Sequence, residues 1–314
     1  TNIKMSWIAN TDTIIFEPKY NSELDIKLIS DYKKLIFSDY ILNEKIFESY
    51  TNGEFKHLTY VGSEFNKCIS NLPSGLTVLT LGHLFVQDVY NILPLTLTHL
   101  TFGTWFNKDV SKLPQRITHL TFGTWFNKDV SKLPQRITHL TFGHHFNQDV
   151  SNLPPMLVHL TFGDNFNKDV SKLPQSITHL TFGFSFNQQY NIPSNIEYLK
   201  LNCNNSYIIN SLPNSIVELE LDHYFGLELN NLPTSIKKLV ICKNNIYDKD
   251  LNCLPDFVEE LQLNYNYKKR ILNIPPNLKK IICNEDYPYI NDFTMLDIQV
   301  FTYCHIVVVP RSVN

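Results

Sequence analysis

Apolar residues fall along this chain in one short pattern that returns about every twenty residues. Within one unit the apolar positions are Ile117, Leu120, Phe122, Phe126, Val130 and Leu133, and the residues between them are mostly polar. Leu120 and Phe122 share one face of a short strand around residues 119–122, while His119 and Thr121 share the other, because side chains alternate along a strand. Gly123 ends the strand, and Leu133-Pro134 begins the return of the chain, since proline donates nothing to a sheet ladder.

The unit is copied many times. Prolines preceded by Leu or Ile stand at Pro73, Pro94, Pro114, Pro134, Pro154, Pro174, Pro193, Pro213, Pro233, Pro255 and Pro275. Residues 101–120 and 121–140 are identical letter for letter, so each unit is structurally interchangeable with its neighbour. Ile117-x-x-Leu120-x-Phe122 has the L-x-x-L-x-L spacing of a leucine-rich repeat. Later units keep it through Leu199-x-Leu201, Leu219-x-Leu221, Leu239-x-Ile241, Leu261-x-Leu263 and Ile281-x-Cys283, and Ile298-x-x-Phe301-x-Tyr303 continues it without the proline. Earlier ones are Leu79-x-Leu81, Leu58-x-Tyr60, Leu35-x-Phe37 and Ile14-x-Phe16.

A lone coil of this size buries too little apolar surface to order its backbone, so the units must stack. The expected fold is a β-rich, leucine-rich-repeat-like solenoid with one parallel sheet of roughly 13–15 short strands and little α-helix. Residues 1–50 read as an N-terminal cap with irregular first coils, 51–284 as the repeat solenoid and 285–314 as a C-terminal cap.

Phe186-Asn187 followed by Ile192-Pro193 resembles the FNIP repeat, as do Phe106-Asn107, Phe126-Asn127, Phe146-Asn147 and Phe166-Asn167, each followed by Leu-Pro. These repeats are abundant in social amoebae and in giant viruses that infect them. The resemblance implies a protein-interaction scaffold. It also suggests the substrate-recognition part of an F-box-type ubiquitin ligase receptor, held to the ligase scaffold through an upstream segment. Residues 1–50 show no F-box pattern, so such a segment is missing, unrecognisable or lies upstream of Thr1. The alternative is a structural or assembly component, for example of a virus particle, without a ligase link.

Composition narrows the choice. A net charge of -3 and a pI near 6.4 give no basic footprint for nucleic acid. No apolar run spans a membrane and no secretory signal opens the chain, so the expected location is the cytoplasm, of the host if the protein is viral. Six scattered cysteines, Cys68, Cys203, Cys242, Cys253, Cys283 and Cys304, form no C-x-x-C pair and indicate neither a zinc clip nor a disulfide framework. No nucleophile–base constellation or phosphate-binding glycine loop is visible, so no enzyme and no cofactor are expected.

Column by column, the candidates are as follows. His99, His119, His139, His159 and His179, with His57 before them, form an outward histidine ladder that reads as solvated strand surface rather than a metal site. Like-charge crowding there should disfavour protonation, so that acid lowers stability. Asn107, Asn127, Asn147, Asn167 and Asn187 follow the buried Phe and read as a structural ladder that satisfies backbone of the adjacent turn. Asp109, Asp129, Asp149 and Asp169 form an acidic column that lacks the glycine-rich repeat of calcium-binding coils.

A partner surface is sought where copies differ while their core does not. One place is the end of each strand, with Trp105, Trp125, His145 and Asn165. The other is the later strand face, with Tyr198, Lys200, Glu218, Glu220, Lys238 and Glu260. The run 306–309 is a β-branched edge that either caps the stack, giving a monomer, or pairs with another chain.

Overall fold

The computed structural model describes residues 7–10, 12–41, 59–60 and 62–303. It divides into two compact units, the first running to Gly163 with residues 168–174, the second taking residues 164–167 and the chain from Gln175 onward. In the first unit β1 (Trp7–Asn10) lies antiparallel to β2 (Thr13–Phe16), and β2 starts a parallel series with β3 (Lys34–Phe37). Two short strands, β4 (Tyr40–Ile41) and β5 (Thr59–Tyr60), pair only with each other. The series resumes with β6 (Val78–Thr80), β7 (His99–Thr101), β8 (His119–Thr121), β9 (His139–Thr141) and β10 (His159–Thr161).

The second unit carries its own parallel series. It comprises β11 (His179–Phe182), β12 (Tyr198–Leu201), β13 (Glu218–Leu221), β14 (Lys238–Ile241), β15 (Glu260–Gln262), β16 (Lys280–Cys283) and β17 (Gln299–Thr302). Among the described residues, helix is confined to three single turns, α1 (Ile26–Ile29), α2 (Ser206–Ile209) and α3 (Asn291–Thr294). The described residues thus form fourteen parallel strands in a leucine-rich-repeat-like β-solenoid, as the spacing predicts.

Register is set by the repeat. His119, Leu120 and Thr121 lie beside His139, Leu140 and Thr141, so each column of the sequence becomes a row of stacked side chains. All six predicted apolar slots are buried, from Ile117 at 0% exposure to Leu133 at 2%. Phe122 stacks on Phe126 within its coil at 3.7 Å and on Phe142 of the next at 5.8 Å, giving a continuous aromatic spine. Gly123 is required by close approach, because a Cβ there would overlap the carbonyl oxygen of Gly103 in the preceding coil.

Two expected strands differ. Leu58-x-Tyr60 matched the period, yet Thr59–Tyr60 pairs antiparallel with Tyr40–Ile41, and β3 pairs directly with β6. Phe37 stacks at 3.9 Å on Phe65, as Phe122 does on Phe126, so residues 62–76 complete the coil that β3 begins. Asp39 fastens this coil, accepting backbone N–H groups from Ser63 at 2.8 Å and His83 at 2.6 Å.

At the other end, Val300 and not Phe301 lies beside Ile281 and faces the core at 7% exposure. Phe301 turns outward, with the Lys280 ammonium 5.4 Å from its ring. Asp297 takes a left-handed conformation (φ 58°) between α3 and this strand, which sits one residue from the expected register, and a one-residue shift flips every side chain. Leu58, His57, Cys304 and the run 306–309 lie outside the described residues.

Candidate functional site

The structure sorts the candidates into three surfaces. The first is the end-of-strand edge of the first unit. Trp105 and Trp125 are 44% and 41% exposed and stack at 5.2 Å with 6° between planes. Trp125 stacks on His145 at 3.9 Å, and Trp105 Nε1 donates to His83 Nε2 at 3.0 Å. The residues after successive strands are held one coil apart, which is why the rings of Trp105, Trp125 and His145 stack in a row, with His83 meeting Trp105 edge-on at 81°. Asn165 occupies the equivalent place in the second unit and is half-exposed there; in the same unit Phe184 packs on Tyr224 at 4.7 Å.

The second surface is the strand face of the second unit. Its outward column runs Tyr198, Glu218, Lys238, Glu260, Lys280 in adjacent register, so charges of opposite sign alternate across the sheet. Lys238 bridges Glu218 at 2.7 Å and Lys280 bridges Glu260 at 3.4 Å. Lys200 reaches Glu220 at 2.7 Å and Asp222 at 2.9 Å, and Tyr198 donates to Glu220 at 2.7 Å. Burial alone raises the Glu220 carboxyl, but hydrogen bonds from Lys200, Tyr198 and Cys242 outweigh it and hold it below its ordinary value. Burial and the Glu220 charge together push the Tyr198 hydroxyl and the Cys242 thiol upward. All six strand-face candidates of this unit are therefore engaged in cross-strand ion pairs or neighbours of them.

The third is the histidine ladder. His99, His119 and His139 stack face to face at 4.1–4.2 Å, and His139 stacks on His159 at 4.2 Å. Nδ1 of His99, His119, His139 and His179 lies 2.8–3.0 Å from the hydroxyl of the preceding threonine. Parallel rings aim their remaining nitrogens side by side rather than at one point, a poor arrangement for chelating an ion. Burial first, then neighbouring imidazoles, lower the His119 pKa to about 4, and His99 is lowered for the same reasons.

Among the Asn residues, Asn127 Oδ1 accepts the backbone N–H of Asn147 at 2.9 Å, Asn107 that of Asn127 at 3.0 Å and Asn167 that of Asn187 at 3.1 Å. This ladder lies at the surface, half-exposed or exposed. Asp109, Asp129, Asp149 and Asp169 each accept both the backbone N–H and the hydroxyl of the serine two residues on, and those bonds lower their carboxyls. The acidic column thus caps its own turns.

Sequence reasoning missed a second, buried asparagine series. Asn245, Asn264 and Asn284 are 1%, 1% and 4% exposed. Asn264 donates to the Asn245 carbonyl at 2.9 Å and Asn284 to that of Tyr265 at 3.1 Å, while Tyr247 N–H donates to Asn245 Oδ1 at 2.6 Å. The available signal was an asparagine one to four residues past each strand, masked by the many other asparagines of the chain. Among the described residues no helix is long and apolar enough to cross a membrane, and no group of three ligating side chains is arranged to hold a metal ion.

The pattern that defines the FNIP Repeat family matches residues 106–143, 126–165, 149–185, 186–224 and 244–286. Among solved structures the chain is similar to CroV588, a giant-virus protein described as a novel circular LRR structure, at 32% identity over 93% of this chain with a TM-score of 0.66. It spans 46% of that protein's length. It is also similar in fold to an internalin, InlF of Listeria monocytogenes, at 15% identity over 93% of this chain and 86% of that one, with a TM-score of 0.51. No curated protein matches.

Proposed function

The chain belongs to the FNIP repeat family, and we propose that it is a non-catalytic scaffold that binds another protein through the ends and faces of its strands. The observation that supports this most is the Trp105–Trp125–His145 stack: large aromatic side chains kept in solvent, at positions that vary between copies whose core columns are constant. Aromatic side chains of this kind anchor interfaces because they bury much area with little rotamer loss. The charge-alternating face around Lys200, Glu220 and Lys238 adds a polar surface whose pairs select among partners. The finer reading, substrate recognition for an F-box-type ubiquitin ligase in the cytoplasm, draws on the family resemblance.

The test is affinity capture of the tagged full chain from amoebal cells, wild type beside a Trp105→Ala/Trp125→Ala variant of equal thermal midpoint. Proteins retained by the wild type and lost from the variant support the scaffold. Identical capture by both overturns the assignment of this edge. Ligase scaffold subunits among the captured proteins favour the receptor reading, and virion proteins in their place favour an assembly role.

A further inference from the structure

The chain has four arginines. Arg270 is held by Asp292 through two bonds of 2.8 and 3.1 Å, and Arg311 lies outside the described residues. Arg116 and Arg136, by contrast, are exposed and have no carboxylate partner among the described residues. They occupy the same place in two adjacent coils, three residues before His119 and His139, which are partners in register. Like charges one coil apart repel, so a counter-charge from outside is favoured there.

Both guanidinium groups line one groove of the first unit, with a volume of about 500 Å³, together with Met156 and a row of threonines that includes Thr98, Thr118 and Thr138. The threonine hydroxyls donate to carbonyls of the preceding coil at 3.0–3.2 Å, so their protons are already engaged and the arginines are the groove's free donors. No acidic residue occurs in 72–82, 93–103, 113–123, 133–143 or 153–163, the segments that build this side of the unit. The other copies have a different residue at the arginine position, for example Thr96, Met156 and Ser176 in the nearest ones. The tandem duplication of one twenty-residue unit therefore doubled a single arginine into a pair.

We propose that this groove binds a phosphorylated segment of an extended polypeptide, its phosphate monoester clamped between Arg116 and Arg136. A phosphate monoester carries close to two negative charges and three acceptor oxygens, matching two guanidinium forks where one carboxylate would leave a cation unpaired. The groove crosses the coils from Thr77 to Met156. Four steps of ~4.8 Å make ~19 Å, the span of about six extended residues and far more than a lone phosphate fills. Met156, 55% exposed, offers an apolar contact for a flanking side chain. The proposal rests on the protein-binding reading and deepens it by naming the chemistry of the partner.

The test is fluorescence anisotropy of the full chain with peptide pools randomised around a central phosphoserine. Phosphorylated pools should bind, unphosphorylated pools should bind at least about tenfold more weakly, and Arg116→Gln or Arg136→Gln should each weaken the phosphorylated pool by about tenfold, as loss of a charge-assisted bond does. Absence of binding to any pool, equal affinity with and without phosphate, or unchanged affinity in the double variant with an unaltered circular dichroism spectrum overturns it. So does inorganic phosphate competing at the peptide's own affinity, or selective binding to vesicles that contain phosphorylated lipids. If the phosphopeptide arms fail while capture through Trp105 and Trp125 persists, the groove assignment falls and the scaffold reading stands.

Discussion

His119 and His139 lie face to face, ring centroids 4.1 Å apart and planes 11° apart, on neighbouring strands of the same face. Partial burial makes charging either ring costly, and two imidazolium ions at that separation also repel. The folded chain therefore keeps His119 neutral down to a pH of about 4, whereas an unfolded histidine protonates near its ordinary 6.5. Between those values the unfolded state binds more protons, so stability is full above about 6.5 and is lost as pH falls toward 4. The column aspartates, with carboxyls held below 3.8, do not titrate between pH 7.5 and 5. We expect a thermal midpoint lower by a few degrees, of order ~2–4 °C, at pH 5 than at 7.5. His119→Gln/His139→Gln should shrink the difference; equal midpoints in the wild type would sink the idea.

The two asparagine series should respond differently to truncation. Asn284→Ala removes a buried amide that donates to the Tyr265 carbonyl, leaving that oxygen without its partner at a cost of about 1–3 kcal/mol. Asn127→Ala, whose bond to Asn147 is half-exposed to water, should cost under ~1 kcal/mol. Urea unfolding of both variants checks the order, and a larger loss at Asn127 would refute it.

Glu220 gathers Lys200, Tyr198 and Cys242 on one carboxylate. Glu220→Gln should cost about 1–3 kcal/mol, because a half-buried ammonium and hydroxyl lose a charged acceptor. Lys200→Met alone should cost a similar amount, and the double variant less than the two together, since it leaves fewer unpaired charges. Strict additivity in a double-mutant cycle would show that the network has no coupling.

At the last strand, Val300→Asp should be far more damaging than Phe301→Asp. Val300 faces the core beside Ile281, while Phe301 faces Lys280, to which a carboxylate is welcome. We expect a loss of several degrees for the first, of order ~4 °C or more, and little change for the second. The reverse ranking would restore the register suggested by the spacing of Ile298, Phe301 and Tyr303.

Much of this was legible in the sequence. The recurrence of Leu120, Phe122 and Phe126 at one interval determined the coil, the parallel sheet, the buried columns and the family, because a repeat that buries its apolar face only by stacking leaves one way to fold. It also placed Trp105, Trp125 and the strand-face charges outside. Tertiary structure decided the rest. Period alone could not tell that Thr59–Tyr60 stays out of the parallel series, because the spacing of Leu35, Leu58 and Leu79 imitates a coil and Asp39 and Phe65 reveal the true closure only in space. Nor could it set the register of the last strand, where the pairing of Val300 with Ile281 decides which of two apolar neighbours turns inward. Which polar groups pair, which asparagines are buried and which arginines lack a carboxylate among the described residues depend on distances between coils, and the order of residues along one coil does not contain them.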